Sequence, residues 1–169
     1  MQVLQRIQPA VAGAALLALV SCGVEGALGP NSFQSQYDTA RSALESGRYA
    51  RAITGYERLA ATPGPFQARV QLELAHSYLR AGEYAKAAQT ARALTAVLDG
   101  EGRAAALAVQ GTADHELGLA ALAEGDRARG ASFLRQADAA MKEVVDTHPE
   151  LDPLGALAAR RASIKVRLG

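Results

Sequence analysis

After residue 30, no segment alternates apolar and polar residues with the period of two that is typical of a β-strand. Asn31 or Ser32 can cap a first helix that starts at Phe33. Hydrophobic residues make up 49% of the chain but aromatic residues only 5%, and alanine, the best helix former, dominates the apolar set. We therefore expect an all-α fold with closely approaching helices.

The last predicted helix begins after Pro149, which ends the helix before it. Asp152 and Pro153 provide a cap and a first-turn proline, and the helix runs through Leu168. One side of it is apolar and the other is basic, as expected of a helix that covers the open end of a helical array. The apolar side comprises Leu154, Leu157, Ala158, Ile164 and Leu168. The basic side comprises Arg160, Arg161, Lys165 and Arg167.

The chain also repeats itself with a period of 35 residues. The string Gly-x-Tyr-Ala-[Arg/Lys]-Ala occurs at residues 47–52 and again at residues 82–87. The abundance of alanine does not explain this string, so the repeat is real. The same shift superposes Ala40 on Ala75, Ser42 on Ser77, Leu44 on Leu79, and Leu59 on Leu94.

These residues resemble the tetratricopeptide repeat (TPR), a helix–turn–helix unit of about 34 residues. The resemblance implies a sharp turn at each of three glycines, where φ is positive. It also implies close contact between paired helices at small residues, with aromatic side chains filling the gaps between repeats. These positions are Gly47, Gly82 and Gly125 for the turns, Ala52, Ala87 and Gly130 for the contacts, and Tyr49, Tyr56, Tyr78 and Tyr84 for the aromatics.

The third copy is longer than the first two. Gly125 lies 43 residues after Gly82, which indicates an insertion of roughly eight residues relative to the period of the family. We therefore predict two long helices, over residues 103–123 and 127–147. The resemblance implies a short TPR-like helical solenoid over residues 32–169, with about three helix pairs and a C-terminal capping helix.

The first 22 residues predict a targeting signal. Residues 10–20 are an uninterrupted apolar run, too short to span a bilayer but typical of a secretory signal. Residues 19–22, Leu-Val-Ser-Cys, resemble the lipobox of bacterial lipoproteins. That resemblance implies a signal peptide over residues 1–21, acylation of Cys22 and a glycine-rich tether over residues 22–31. The alternative is that Cys22 is an ordinary small apolar residue.

Charge narrows the choice of partners. Without residues 1–21, the chain has 17 basic and 17 acidic side chains, so its formal net charge is zero. A neutral domain lacks the basic surface that nucleic-acid binding requires, and we expect no nucleic-acid partner. Cys22 is the only cysteine, so packing must stabilise the fold without a disulfide.

The sequence contains no recognisable catalytic motif, and we expect neither an enzyme nor a bound cofactor. A phosphate-binding glycine loop and a Gly-x-Ser-x-Gly elbow are both missing. His115 and Glu116 resemble the start of a zinc-binding His-Glu-x-x-His helix, but Leu119 stands where the second histidine is required. No metal site is predicted.

Members of the TPR family bind partners on a concave face that is lined by the first helix of each pair. The resemblance implies that arginines on this face hold the carboxylates of a bound peptide, although a solvated helix face is the alternative. The predicted protein-binding residues are Gln34, Tyr37 and Arg41 in the first copy, Arg69, Leu72, His76 and Arg80 in the second, and His115 in the third.

Together these features predict a lipid-anchored TPR scaffold that faces the periplasm from a bacterial outer membrane. Its partner would be a protein or peptide segment of an envelope machine, such as a pilus, a secretion system or the outer-membrane assembly machinery. The alternative is a periplasmic ligand sensor or an enzyme-accessory subunit. Homo-oligomerisation through the alanine-rich convex face, and contact of the basic last helix with a membrane surface, also remain open.

Overall fold

The computed structural model describes residues 30–62 and 64–169, and this part of the chain is all helical. The predicted signal peptide and Cys22 lie outside the described residues. Seven α-helices and one short 3₁₀ helix follow one another without a strand in the described ranges. They are α1 (Pro30–Glu45), α2 (Tyr49–Ala60), α3 (Gln67–Arg80), α4 (Tyr84–Thr95), α5 (Gly100–Ala123), α6 (Arg127–Thr147), the 3₁₀ helix Pro149–Leu151 and α7 (Ala156–Leu168).

The first six α-helices form three antiparallel hairpins, each closed by a three-residue turn with a central glycine. Gly47, Gly82 and Gly125 have φ values of 74°, 79° and 85°, as predicted. The glycine N–H donates to a carbonyl three residues earlier, and the following N–H donates to a carbonyl five residues earlier. In the first turn, for example, the Arg48 N–H donates to the Ala43 oxygen at 2.8 Å. This repeated bonding satisfies carbonyls that each helix end would otherwise leave unpaired.

Small residues let the paired helices approach closely, which confirms the predicted contacts. Ala52 and Ala87 are completely buried. In the third hairpin the fit is reciprocal, since Gly118 on α5 accommodates Leu134 of α6, and Gly130 on α6 accommodates Leu122 of α5. A Cβ added to either glycine would lie 2.8 or 2.7 Å from the facing leucine. Any larger residue at these two positions would therefore force the helices apart.

The largest cluster of the core is built mainly from aromatic and aliphatic side chains of the first two hairpins, and smaller clusters lie in the third hairpin and α7. Tyr56 is fully buried and makes an edge contact with the ring of Tyr37 at a centroid distance of 5.8 Å. Tyr78 is 7% exposed, and its hydroxyl donates to Glu57 at 2.6 Å, which links α3 to α2. Burial and this bond to Glu57 together raise the pKa of Tyr78 to about 12. Tyr49 and Tyr84 are only partly buried.

An ion pair between a buried aspartate and a half-exposed arginine links the second hairpin to the third. Arg92 on α4 donates through Nη2 to both carboxylate oxygens of Asp114 on α5, at 3.1 and 3.0 Å. The same nitrogen lies 3.3 Å from Gln136 Oε1 on α6. Burial raises the pKa of Asp114, while Arg92 opposes that rise. Because an unpaired charge inside a protein is costly, Asp114 fixes the position of α4 relative to α5.

Helix boundaries differ from the predictions mainly at helix starts. The first helix begins at Pro30 rather than at Phe33, because the fixed φ of proline suits a first helical position. The last two residues of the predicted tether are therefore helical. The helix predicted over residues 103–123 begins earlier, at Gly100. The prediction for Arg127–Thr147 is confirmed at both ends.

The last helix caps the array, but it begins later than predicted. Asp152 does cap it, since its carboxylate oxygens accept bonds from the N–H groups of Leu157 and Ala158, each at 3.0 Å. The helix itself starts at Ala156, so the prediction that Pro153 lies in its first turn was wrong. A turn ending at Gly155, with a φ of 68°, separates the proline from the helix.

The two predicted faces of α7 are also only partly correct. Leu157 and Ile164 are buried, but Leu154 precedes the helix and is 93% exposed. Ala158 is exposed too, because α7 packs on α6 and α5 along a narrow stripe. The predicted basic face is not continuous, because Arg161 points toward α6 and donates to Asp138 at 2.9 Å.

Replacing Gly118 by alanine should destabilise the protein by about 1–3 kcal/mol, because the added methyl group would collide with Leu134. The midpoint of urea unfolding, followed by circular dichroism, measures this loss. Gly102 on the same helix is the matched control. Its added Cβ would meet Leu98 at an ordinary 3.6 Å, so alanine there should stabilise the helix by up to about 1 kcal/mol. Equal effects of the two substitutions would contradict the proposed close packing.

Candidate functional site: a groove along the first helices

The first helices of the three hairpins line a surface with two adjoining depressions. The larger, which we call the groove, has a volume of about 520 Å³ and lies between α3, α5 and the segment leading into α7. The smaller, which we call the charged end, has a volume of about 240 Å³ and lies between α1 and α3. Glu73 and His76 of α3 border both depressions, so the two form one continuous surface.

Apolar side chains make up most of the groove. Leu72 and Leu79 lie on the same face of α3, one helical repeat of seven residues apart. Val109 of α5 lies opposite, and the chain before α7 closes the third side. The remaining lining residues are Ala105, Ala108, Thr112, Leu151, Asp152, Pro153, Leu154, Ala156, Leu157 and Arg160. Such a surface favours an apolar ligand or peptide segment.

Glu73 lies at the junction of the two depressions and is contacted by three of the predicted binding residues. The Tyr37 hydroxyl donates to its Oε1 atom at 3.0 Å, and the Arg69 Nε atom lies 3.4 Å from the same oxygen. Arg41 approaches it at 3.7 Å and also pairs with Glu45 at 2.9 Å. The Glu73 side chain is only 16% exposed, so these donors surround it.

This arrangement changes the interpretation of the predicted arginines. Arg41 and Arg69 were expected to hold carboxylates of a bound peptide, but they already face a carboxylate of the protein itself. Sequence reasoning missed the role of Glu73. The spacing of Arg69 and Glu73, four residues apart on one helix, was the available signal, because such a pair meets on a helix face.

Arg80 is differently placed. Its Nη2 atom donates to the Tyr49 hydroxyl at 3.0 Å, and its guanidinium lies 5.6 Å from the centre of that ring. Within the described part of the chain, no carboxylate lies within ion-pair distance of Arg80. Partial burial lowers the pKa of the neighbouring His76, Arg80 lowers it further and Glu73 opposes the shift. The shift favours the neutral form of His76, so Arg80 is the cation of the charged end that has no carboxylate partner among the described residues.

Four of the predicted residues line neither depression. Tyr37 and Arg69 contact Glu73 without lining either one, and Gln34 and His115 lie elsewhere. Gln34 donates to Asp38 at 2.8 Å and borders a separate depression between α1 and α2, because α1 turns that residue to its other side. His115 is only 6% exposed, so the prediction that it faces the groove was wrong. Its Nδ1 atom lies 3.2 Å from Glu116, and α6 and α7 cover the elongated helix at this point.

Arg160 places a positive charge beside the apolar part of the groove. The sequence had predicted this residue on the basic side of the last helix, away from the apolar side. Its Nη2 atom lies 3.8 Å from Glu116, which is a loose ion pair. Its Nε atom is buried without a hydrogen-bond partner among the described residues. The rest of the guanidinium lies partly exposed at the groove, where a partner with a carboxylate next to apolar groups would find a donor.

Among residues 30–62 and 64–169, no cluster of three histidine, cysteine, aspartate or glutamate side chains could hold a metal ion. None of the helices in these same ranges combines the length and the apolar character needed to cross a bilayer.

One solved structure similar to this chain is the type III secretion translocator chaperone SycD of Yersinia enterocolitica, in an alternative dimer. The TM-score is 0.50 with 18% sequence identity, over 81% of this chain and 94% of that chain. The fold is a TPR-like helical solenoid. At this level of identity the similarity shows the fold alone. Neither a protein-family model nor a curated protein matches the chain.

Replacing Glu73 by glutamine should destabilise the protein by about 1–2 kcal/mol, because a charged acceptor of several donors is lost from a shielded position. Glu45→Gln is the matched control. It removes the same charge from an exposed pair with Arg41 and should cost less than about 0.5 kcal/mol. Urea unfolding of the two variants measures the difference, and similar values for both would show that Glu73 does not organise the junction.

Proposed function

We propose that this protein is a non-enzymatic, lipid-anchored adaptor that binds a peptide segment of another envelope protein. The observation that supports this proposal is the groove, which is open, mostly apolar and continuous with a charged end. Apolar peptide side chains would occupy the space between Leu79 and Val109. An acidic group of the same peptide would pair with Arg80 or Arg160, since guanidinium groups bind carboxylates well.

The fold similarity supports the same class of function without transferring it. SycD is named as a type III secretion translocator chaperone. Helical solenoids of this kind offer extended binding surfaces rather than enclosed catalytic centres. We propose that this chain uses its solenoid in the same general way, for a partner in the bacterial cell envelope.

The anchor is a separate part of the proposal and rests on the sequence of residues 19–22. Acylation of Cys22 would hold the protein at a membrane, for which we propose the periplasmic face of the outer membrane. More than one acyl chain is needed for stable anchoring, and lipoprotein processing would supply them.

Replacing Cys22 by serine should move the protein from the membrane fraction to the soluble periplasmic fraction, because serine cannot carry the thioether-linked lipid. Fractionation of cells that express each form, with immunoblotting, measures the distribution. A serine variant that stays fully in the membrane fraction would contradict lipid anchoring at Cys22.

Replacing Val109 by glutamate should abolish capture of the envelope partner, because a charge would lie in the apolar part of the groove. Cross-linking in intact cells, affinity purification and quantitative mass spectrometry measure which proteins are retained. Val166→Glu is the matched control, since Val166 is 84% exposed and does not line the groove. Circular dichroism should show equal helicity for both variants. Equal capture by both would contradict binding in the groove.

A second candidate function is ligand sensing, which the size of the groove favours. A volume of about 520 Å³ lies within the range of small-molecule sites. This function would produce a thermal shift with apolar carboxylates such as medium-chain fatty acids, and Val109→Glu would remove the shift. The peptide-binding proposal requires no such response.

A further inference from the structure

In the described part of the chain, three large exposed apolar side chains lie in the connections between successive helical units. Phe66 is 59% exposed, Val97 is 77% exposed and Leu154 is 93% exposed. Each lies in a different connection between successive units, over residues 61–66, 96–99 and 148–155. The other two, Val166 and Leu168, lie near the end of α7.

Because successive helices alternate in direction, these three connections share one edge of the solenoid with the start of α1. We call this the loop edge. Phe33, in the first turn of α1, stacks on Phe66 at a ring distance of 5.5 Å. Arg103, near the start of α5, donates to Glu143, near the end of α6, at 3.0 Å. The turns at Gly47, Gly82 and Gly125 lie on the opposite edge, where Arg80 contacts Tyr49.

The proposed anchor enters the molecule at the loop edge. Helix α1 begins at Pro30, eight residues after Cys22. Eight residues span at most about 28 Å when fully extended, and the 16 residues of α1 form a helix about 24 Å long. The tether therefore reaches the bilayer by its shortest path when the loop edge faces the bilayer, and the opposite edge could face it only with an almost fully extended tether.

We propose that the loop edge contacts the bilayer surface, with Phe66, Val97 and Leu154 entering the interfacial region. This inference rests on the proposed lipid anchor. The anchor supplies the affinity, so three apolar side chains need only set the orientation of the solenoid. Apolar groups at separate loop tips can enter the interface together because they share one edge.

The charges of the three connections indicate the kind of lipid. The connections carry Asp99, Glu150 and Asp152 but no lysine or arginine. Carboxylates are repelled by an anionic surface and attracted by ammonium groups. Arg103, which also lies at this edge, is paired with Glu143. The three connections therefore fit a surface rich in phosphatidylethanolamine better than one rich in phosphatidylglycerol.

This orientation also determines where the groove lies relative to the bilayer. Leu154 stands at its mouth as well as at the loop edge. The groove would open close to the bilayer, and the turn edge would point away from it. A partner segment that emerges from the membrane would then reach the groove directly.

The absence of tryptophan from the sequence permits a direct test. Phe66→Trp, Val97→Trp and Leu154→Trp each introduce a single reporter on the loop edge, and Val166→Trp introduces one elsewhere. The full-length acylated protein is reconstituted in phosphatidylethanolamine-rich vesicles with brominated acyl chains, which quench tryptophan on contact. The three loop reporters should lose most of their emission and shift to the blue, whereas the Val166 reporter should change little. Raising the phosphatidylglycerol content should weaken the quenching.

The outcomes separate the two proposals. Intact-mass measurement first establishes whether Cys22 is acylated. An unmodified cysteine would overturn the anchor and the loop-edge contact with it. An acylated, vesicle-bound protein whose loop reporters are not quenched, or are quenched no more than the Val166 reporter, would overturn the loop-edge contact alone. Stronger quenching with more phosphatidylglycerol would overturn the assigned lipid preference.

Discussion

Close contact between paired helices is the constraint on which this structure depends. Alanine and glycine at the contacts bring the helix axes together, and in the third hairpin Gly118 and Gly130 each receive a leucine from the facing helix. A glycine turn with positive φ closes each hairpin, so that the two helices meet along these small residues. No single hairpin can bury its apolar side alone, and stacking of successive hairpins is what completes the core.

The groove is formed by the stacked hairpins together with one irregular feature, the longer third hairpin on which α7 packs. The third hairpin is longer than the other two, and α7 packs along it instead of continuing the array. The chain leading into α7 therefore closes one side of a surface that would otherwise be an open face. The apolar part of the site depends on this closure, and the charged end depends on Glu73, which holds Tyr37, Arg41 and Arg69 in place.

Sequence reasoning was most accurate where one residue type alone meets a local backbone requirement. Gly47, Gly82 and Gly125 were predicted as turns because other residues rarely adopt a positive φ. It was less accurate at helix starts, where Pro30 and Gly155 shifted the boundaries by a few residues. It failed at His115, because that side chain is buried by tertiary packing, which the local spacing of residues does not show.

By itself, the sequence determined the helical class, the repeat, the turn positions and the expectation of a membrane anchor at Cys22. These depend on local propensity and spacing, which are properties of short segments. Only the tertiary structure decided that two of the arginines expected to bind a partner, Arg41 and Arg69, face the carboxylate of Glu73, and that Arg80 remains at the charged end and Arg160 on the groove. Pairing of charges depends on distances between separate helices, and those distances are set by how the whole array packs.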